Sequence, residues 1–192
     1  MGSVMITKGK AWVLTVAATI TIAATITIAA AAASSSECMS SGGCQGSFYI
    51  FISFHGKDVR NAFLSHLLQA LEHAGIRAYV DTTGLSKGDD IAQSLGEAIR
   101  NSRIAIPIFS LNYASSRWCL NELVQIMDCR KWGKLVMPVF YRVEPWEVRR
   151  PTTYSLEKAL ASHGNDSEVR TRWMKALSDA SRLSGWHLDA NG

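Results

Sequence analysis

No run of lysine or arginine interleaved with aromatics occurs anywhere in the chain, and the net charge of +4 is thinly spread. A nucleic-acid surface needs a concentrated basic footprint, so that class of partner is set aside. Cysteine is scarce. Cys38 and Cys44 lie in a Ser/Gly-rich stretch, and Cys119 and Cys129 fall ten residues apart inside one helical pattern. No CxxC pair or Cys/His cluster has zinc spacing, and His66 and His73 share a helix face without a third ligand. No metal site is expected, and the body of the chain reads as a reduced, intracellular domain. Gly-x-Gly-x-x-Gly is missing after the first apolar strand, which argues against a dinucleotide-binding Rossmann unit. A Gly-x-x-x-x-Gly-Lys-Ser/Thr loop is missing too, so no nucleotide switch is encoded, and no Gly-x-Ser-x-Gly elbow is present.

Charge is absent between residues 11 and 36. This front end repeats the hexapeptide ATITIA at 18–23 and 24–29, and its 23 uncharged residues from Ala11 to Ala33 could span a bilayer as a helix. Lys8 and Lys10 precede it, as in the basic start of a signal sequence. Signal anchor, cleaved targeting peptide and low-complexity leader all remain open for residues 1–33. The positive-inside rule would keep Lys8 and Lys10 cytosolic and send the rest across, against the intracellular reading. Residues 34–47, SSSECMSSGGCQGS, form a linker by composition.

From residue 48 the pattern alternates between strand and helix. FYIFISF (48–54) reads as a fully apolar strand and 59–75 as a helix that stops at Gly75. A strand at 76–80, a loop, and a helix in IAQSLGEAIRNS follow. RIAIPIF (103–109) is a strand, 116–130 a helix, and KLVMPVFY (134–141) a single buried strand. After EPWEVRRP, weaker helical patterns cover 154–163 and 167–183, and GWHL (185–188) closes with a short strand. Apolar strands alternating with helices predict a doubly wound parallel sheet covered on both faces. Its ligand crevice would lie beyond the carboxyl ends of the strands.

One helix carries an acid that packing does not require. In SSRWCLNELVQIMDC (115–129), Leu120, Leu123, Val124 and Met127 make an apolar face. Glu122 points roughly opposite Leu120, with Trp118 one turn before it, on the side turned away from the core. Spacing leaves two readings open: a solvated acid beside a packing indole, or a pair lining the crevice. A lone carboxylate suits one reaction class. Ordinary glycosides need a second acid to protonate the departing oxygen. Nicotinamide departs from NAD+ as an already neutral base, so one carboxylate that stabilises or captures the ribosyl cation can suffice.

Residues 48–188 resemble plant Toll/interleukin-1 receptor (TIR) domains. FYIFISFHGKDVRNAF is similar to the family's Y-D-V-F-L-S-F-R-G-E-D-T-R-x-x-F, and AGIRAYVDTTGLSKGDDI to A-G-I-x-x-F-x-D-D-x-x-L-x-R-G-x-x-I. SRIAIPIFSLNYASSRWCLNEL resembles S-R-I-x-I-x-V-F-S-x-N-Y-A-S-S-x-W-C-L-x-E-L, VMPVFYRVEPWEVR resembles V-x-P-I-F-Y-x-V-x-P-x-x-V-R, and LSGWHL the ending L-S-G-W-x-L. The resemblance implies a flavodoxin-like doubly wound parallel sheet of about five strands over residues 48–192, lacking the family's final helix. It implies cleavage of NAD+ or NADP+ as substrate, with no cofactor, in immune and cell-death signalling. Glu122 falls on the family's catalytic glutamate, and Phe54, Gly56, Ser115 and Trp118 fall on its nucleotide contacts. Self-association is implied through Ser65 and His66 and through Gly185, with other TIR-containing receptors as further partners. The loop at 81–91, with Gly84 and Gly88, corresponds to a mobile one. A cytoplasmic domain is implied, with a membrane anchor at 11–33 left open. His55 stands where the family has arginine and Lys57 where it has glutamate, and neutral histidine offers at most one donor to a pyrophosphate. A non-catalytic adaptor acting through the same surfaces is the alternative.

Overall fold

A computed structural model describes residues 50–59, 63–80, 89–152 and 167–188, with Thr25, Ser155 and Lys158 besides. The loop glycines Gly84 and Gly88, the linker, the helical pattern at 154–163 apart from Ser155 and Lys158, and the apolar leader apart from Thr25 lie outside the described residues. No helix among the described residues is long and apolar enough to cross a membrane.

Five lateral positions make one wholly parallel sheet, in the order β2-β1-β3-β5-β6, and β4 also pairs with β3. The strands are β1 (Ile50–Phe54), β2 (Ala78–Val80), β3 (Ile104–Phe109), β4 (Leu135–Val136), β5 (Val139–Tyr141) and β6 (Trp186–Leu188). Buried on both faces, β1 and β3 are apolar almost throughout, as central parallel strands must be. The expected single strand over 134–141 is broken into β4 and β5, which pair with opposite ends of β3. Pro138 lies at the break. It has no N–H to give the ladder, and its carbonyl instead accepts from Trp186 N–H at 3.1 Å, anchoring β6.

The pleat sorts the core. Ile50, Ile52 and Phe54 face one side, packed with Ile104, Ile106, Ile108 and the buried Phe63, Leu67 and Leu71. Phe63 stacks on Tyr141 there, with ring centroids 5.8 Å apart. Leu67 and Leu71 come from α2 (Ser65–His73), which follows the short α1 (Gly56–Val59). That helix stops as expected at Gly75, whose φ of 71° only glycine adopts freely. Phe51 and Ala105 face the opposite side. There they meet α3 (Asp89–Asn101) through Leu95, Ala98 and Ile99, and α4 (Arg117–Arg130) through Ile126. Further along that face, Phe109 and Phe140 meet Leu120 and Leu123 of α4, and Trp173 and Leu177 of α6 (Ser167–Ala180). Trp173 is 1% exposed and donates its indole N–H to Asn121 Oδ1 at 2.9 Å, so α4 and α6 are fixed to each other by packing and a satisfied polar contact.

One helix was not legible from periodicity. EPWEV opens α5 (Pro145–Arg149), a single turn too short to show a 3.6-residue repeat. Its start is specified locally: Glu144 is the N-cap, Pro145 follows it, and Glu147 closes a capping box.

Candidate active site

Alternation along β1 puts Ser53 on the α4 side of the sheet, one residue before the strand ends. It is the sole hydroxyl in a strand that otherwise reads as apolar, and it is 1% exposed. Ser116 caps α4, its side chain accepting from Cys119 N–H at 3.4 Å, which fixes where the helix begins. From that start, Glu122 arrives on Ser53, whose hydroxyl donates to Glu122 Oε2 at 2.5 Å.

Glu122 is 2% exposed, so the side of α4 read as turned away from the core is itself buried. The reason is architectural. With the sheet beneath it and α3 and α6 beside it, α4 buries Cys119, Leu120, Glu122, Leu123 and Ile126 around most of its circumference. Val124 and Met127, expected in the core face, are only half-buried.

The acid belongs to a chain of polar contacts. Ser53 Oγ lies 2.8 Å from the Tyr113 hydroxyl, which donates to the Cys119 carbonyl at 3.2 Å. The Cys119 thiol reaches back to the Phe54 carbonyl at 3.4 Å. Burial pushes the Tyr113 hydroxyl well above its ordinary range; charge on Cys119 and Glu122 adds to the rise, and the Ser53 hydrogen bond opposes it. Tyr113 therefore stays a neutral donor.

A second acid joins the two loops flanking the sheet's switch point. Asp58 accepts from Ser110 Oγ at 2.6 Å, Asn112 N–H at 2.9 Å and Asn112 Nδ2 at 3.0 Å, tying the loop after β1 to the turn after β3. Burial alone would raise its carboxyl, but the bonds from Ser110 and Asn112 and the neighbouring His55 outweigh that and hold it below the usual value. A depressed folded pKa stabilises above the unfolded value and is lost as pH falls through the folded one. Chemical denaturation should therefore show stability falling as pH drops below about 5 and on past the ordinary carboxyl range, with a shallower slope in Asp58→Asn. Equal slopes would remove Asp58 from this role. His55 Nδ1 sits 3.2 Å from Asp58 Oδ1 but makes no hydrogen bond.

The remaining expected residues fall as follows. Trp118 is half-buried and packs against the Phe51, Leu95 and Ile99 cluster, on the α3 side of α4. Phe54 is 8% exposed and lies in the core on the opposite sheet face from Ser53. Gly56 opens α1, and Ser115 donates to the Asn112 carbonyl at 2.8 Å within the turn before α4. The carboxyl end of β1 thus gathers Glu122, Gly56 and the Phe54 backbone, and the turn carrying Ser115 joins them through Asn112 and Asp58. Ser65 stands exposed and His66 half-exposed on α2, across the sheet from Glu122. Gly185 is surface-exposed, yet a Cβ there would overlap the Pro138 carbonyl and lie 2.8 Å from Pro138 Cγ and 3.1 Å from Phe140 Cε2. No group of three or more His, Cys, Asp or Glu among the described residues could hold a metal. Ser53, Asp58 and Tyr113 were not foreseen. For Ser53 the signal was available, as one hydroxyl at the crevice end of an apolar strand.

A parallel sheet with an acid sealed against the end of β1, beside the point where strand order reverses, defines a flavodoxin-like α/β domain with a candidate site at its switch point. The family model for the TIR domain matches residues 47–191. The chain is 45% identical over 140 residues to the disease resistance protein RPV1 of Vitis rotundifolia, covering 72% of this chain and 10% of that one. It is 41% identical over 146 residues to the disease resistance protein RPS6 of Arabidopsis thaliana, covering 74% and 13%. The TIR domains of the activated Roq1 resistosome, which directly recognises the pathogen effector XopQ, match with a TM-score of 0.65 at 40% identity, covering 74% of this chain and 88% of that chain. This chain belongs to the TIR domain family. It spans about a tenth of the length of the curated relatives it matches.

Proposed function

We propose that the chain is an NAD(P)+ nucleohydrolase of plant immune signalling, active on self-association, with Glu122 as the catalytic residue. The observation that carries this reading is the Ser53–Glu122 contact, which holds a buried carboxylate against the carboxyl end of β1. In so dry a setting an acid interacts strongly with any cation brought to it. The ribosyl centre left by departing nicotinamide is such a cation, and no second acid is needed because the leaving base is neutral. Phe54, Gly56, Ser115 and Trp118 are the proposed substrate contacts. The likeness to resistosome TIR domains supports self-association, for which Ser65, His66 and Gly185 are the proposed residues. The test is nicotinamide release by the concentrated chain, lost in Glu122→Ala; equal release from both proteins sinks the assignment.

Ser53 positions the acid. Ser53→Ala should lower kcat about tenfold with KM little changed, since it acts on the carboxylate and not on the bound nucleotide. Ser53→Thr, which keeps the hydroxyl, should recover part of the loss. A pure KM effect would reassign Ser53 to substrate binding.

A non-catalytic adaptor is the alternative reading. At 2% exposure Glu122 is closed off, so a protein signalling purely by contact would look the same. Signalling that survives Glu122→Ala but not His66→Ala would establish that reading.

A further inference from the structure

The carboxyl ends of β3 and β5, the turn at Leu111 and α5 border an open cavity of about 210 Å3. Glu122 does not line it. Its interior is apolar, walled by the buried Phe109, Val143, Val148 and Leu177. Two large apolar side chains stand at its mouth, Leu111 at 77% and Trp146 at 62% exposure. The other exposed large apolar side chains among the described residues are Trp132 and Leu135. Single exposed hydrophobes are ordinary, whereas two of them bordering one concave opening make it a candidate binding surface.

The polar groups of the wall are nearly all engaged. Ser110 donates to Asp58 at 2.6 Å, Glu147 Oε2 accepts from Glu144 N–H at 2.7 Å, and the Thr152 and Ser155 hydroxyls bond each other at 2.9 Å. Arg150 differs. It lines the cavity at the end of α5, and its guanidinium makes no hydrogen bond or ion pair within the described residues. The opening therefore offers apolar walls, one exposed indole, the Glu147 carboxylate and, among the described residues, one uncommitted planar cation. At ~30 Å3 per water the space holds about seven waters, the bulk of one or two fused rings and far too little for a dinucleotide.

We propose that this cavity is a binding site for a small aromatic carboxylate, its ring packed among Trp146, Val148 and Leu177 and its anionic group on Arg150. Guanidinium pairs with carboxylate through two parallel hydrogen bonds, which a neutral ring analogue cannot reproduce. Tyr113 also lines the cavity, and its hydroxyl ends 2.8 Å from Ser53 Oγ. An occupant would thus rest on the ring that braces the Ser53–Glu122 contact. The binding site does not depend on the proposed reaction, and its test reads binding alone.

The probe is 2-naphthoate, titrated by calorimetry into the full chain beside the neutral 2-naphthamide. One saturable site is expected, with 2-naphthoate bound about tenfold more tightly than the amide. Arg150→Gln should abolish that preference, and Trp146→Ala should weaken both ligands about threefold or more. Both side chains are exposed, so the thermal midpoint of either variant should match the parent and certify folding. Unsaturable binding, or equal binding by the parent and both variants, overturns the proposal. So does a parent that sediments as an oligomer and becomes monomeric in Trp146→Ala, because a second copy would then fill the opening.

Discussion

Gly185→Leu should unfold at a markedly lower temperature than the parent. Even the first carbon of a side chain at this position collides with the Pro138 carbonyl, and the next nearest atoms belong to the Pro138 and Phe140 rings. A backbone carbonyl cannot swing away as the tip of a flexible side chain can, and this one accepts the Trp186 N–H that docks β6. Relief requires β6 to lift from β5, breaking the register Val139↔Trp186, Phe140↔His187 and Tyr141↔Leu188. It would also separate the Phe140 and His187 rings, stacked with centroids 4.9 Å apart. Overpacking of this kind costs about 1–3 kcal/mol, and Gly185→Leu should lie at the upper end. At ~2–4 °C per kcal/mol for a domain near this size, the midpoint should fall by roughly 6 °C or more. The change bears on self-association as well. Gly185 variants should lose assembly and stability together, whereas His66→Ala should lose assembly at an unchanged midpoint. A Gly185→Leu protein with the parent's midpoint would return Gly185 to the role of a pure surface contact.

Removing the charge of Glu122 without changing its shape has the largest expected effect on activity. Glu122→Gln keeps an oxygen able to accept from Ser53, so the 2.5 Å contact and the packing of α4 survive in outline. What disappears is the negative charge that the proposed reaction sets against a developing ribosyl cation. Preorganised groups of this sort contribute about 10²–10³ to rate when removed singly. Because the proposed nucleotide contacts are other residues, the loss should appear in kcat, with KM within about threefold of the parent. A loss confined to KM would make Glu122 a binding residue.

The sheet was legible in the sequence because its strands are buried on both faces. Ile50–Phe54 and Ile104–Phe109 announce themselves by continuous apolar character, and Gly75 by the helix it ends. What escaped notice was local or long-range. Pro138 splits a strand whose hydrophobicity runs on unbroken through it. Five residues of α5 are too few for a period, though Glu144, Pro145 and Glu147 spell out its cap. On α4 a helical wheel gave Glu122 an outward face, but a helix lodged between a sheet and two other helices has little outward face to give. The partners of the acid lie 69 residues away at Ser53 and, through it, 60 residues on at Tyr113. No local pattern joins them, although strand alternation alone places Ser53 on the correct side of the sheet. Gly185 shows the reverse case: resemblance gave it a surface role, and its tight fit against Pro138 became visible only with β6 in place.

The most direct measurement is nicotinamide release from NAD+ by the parent and Glu122→Gln, compared at equal assembly by sedimentation and equal thermal midpoint. The account predicts release by the parent that rises more steeply than linearly with protein concentration, and a rate at least about 10²-fold lower in the variant. Comparable rates from two equally assembled proteins would contradict it.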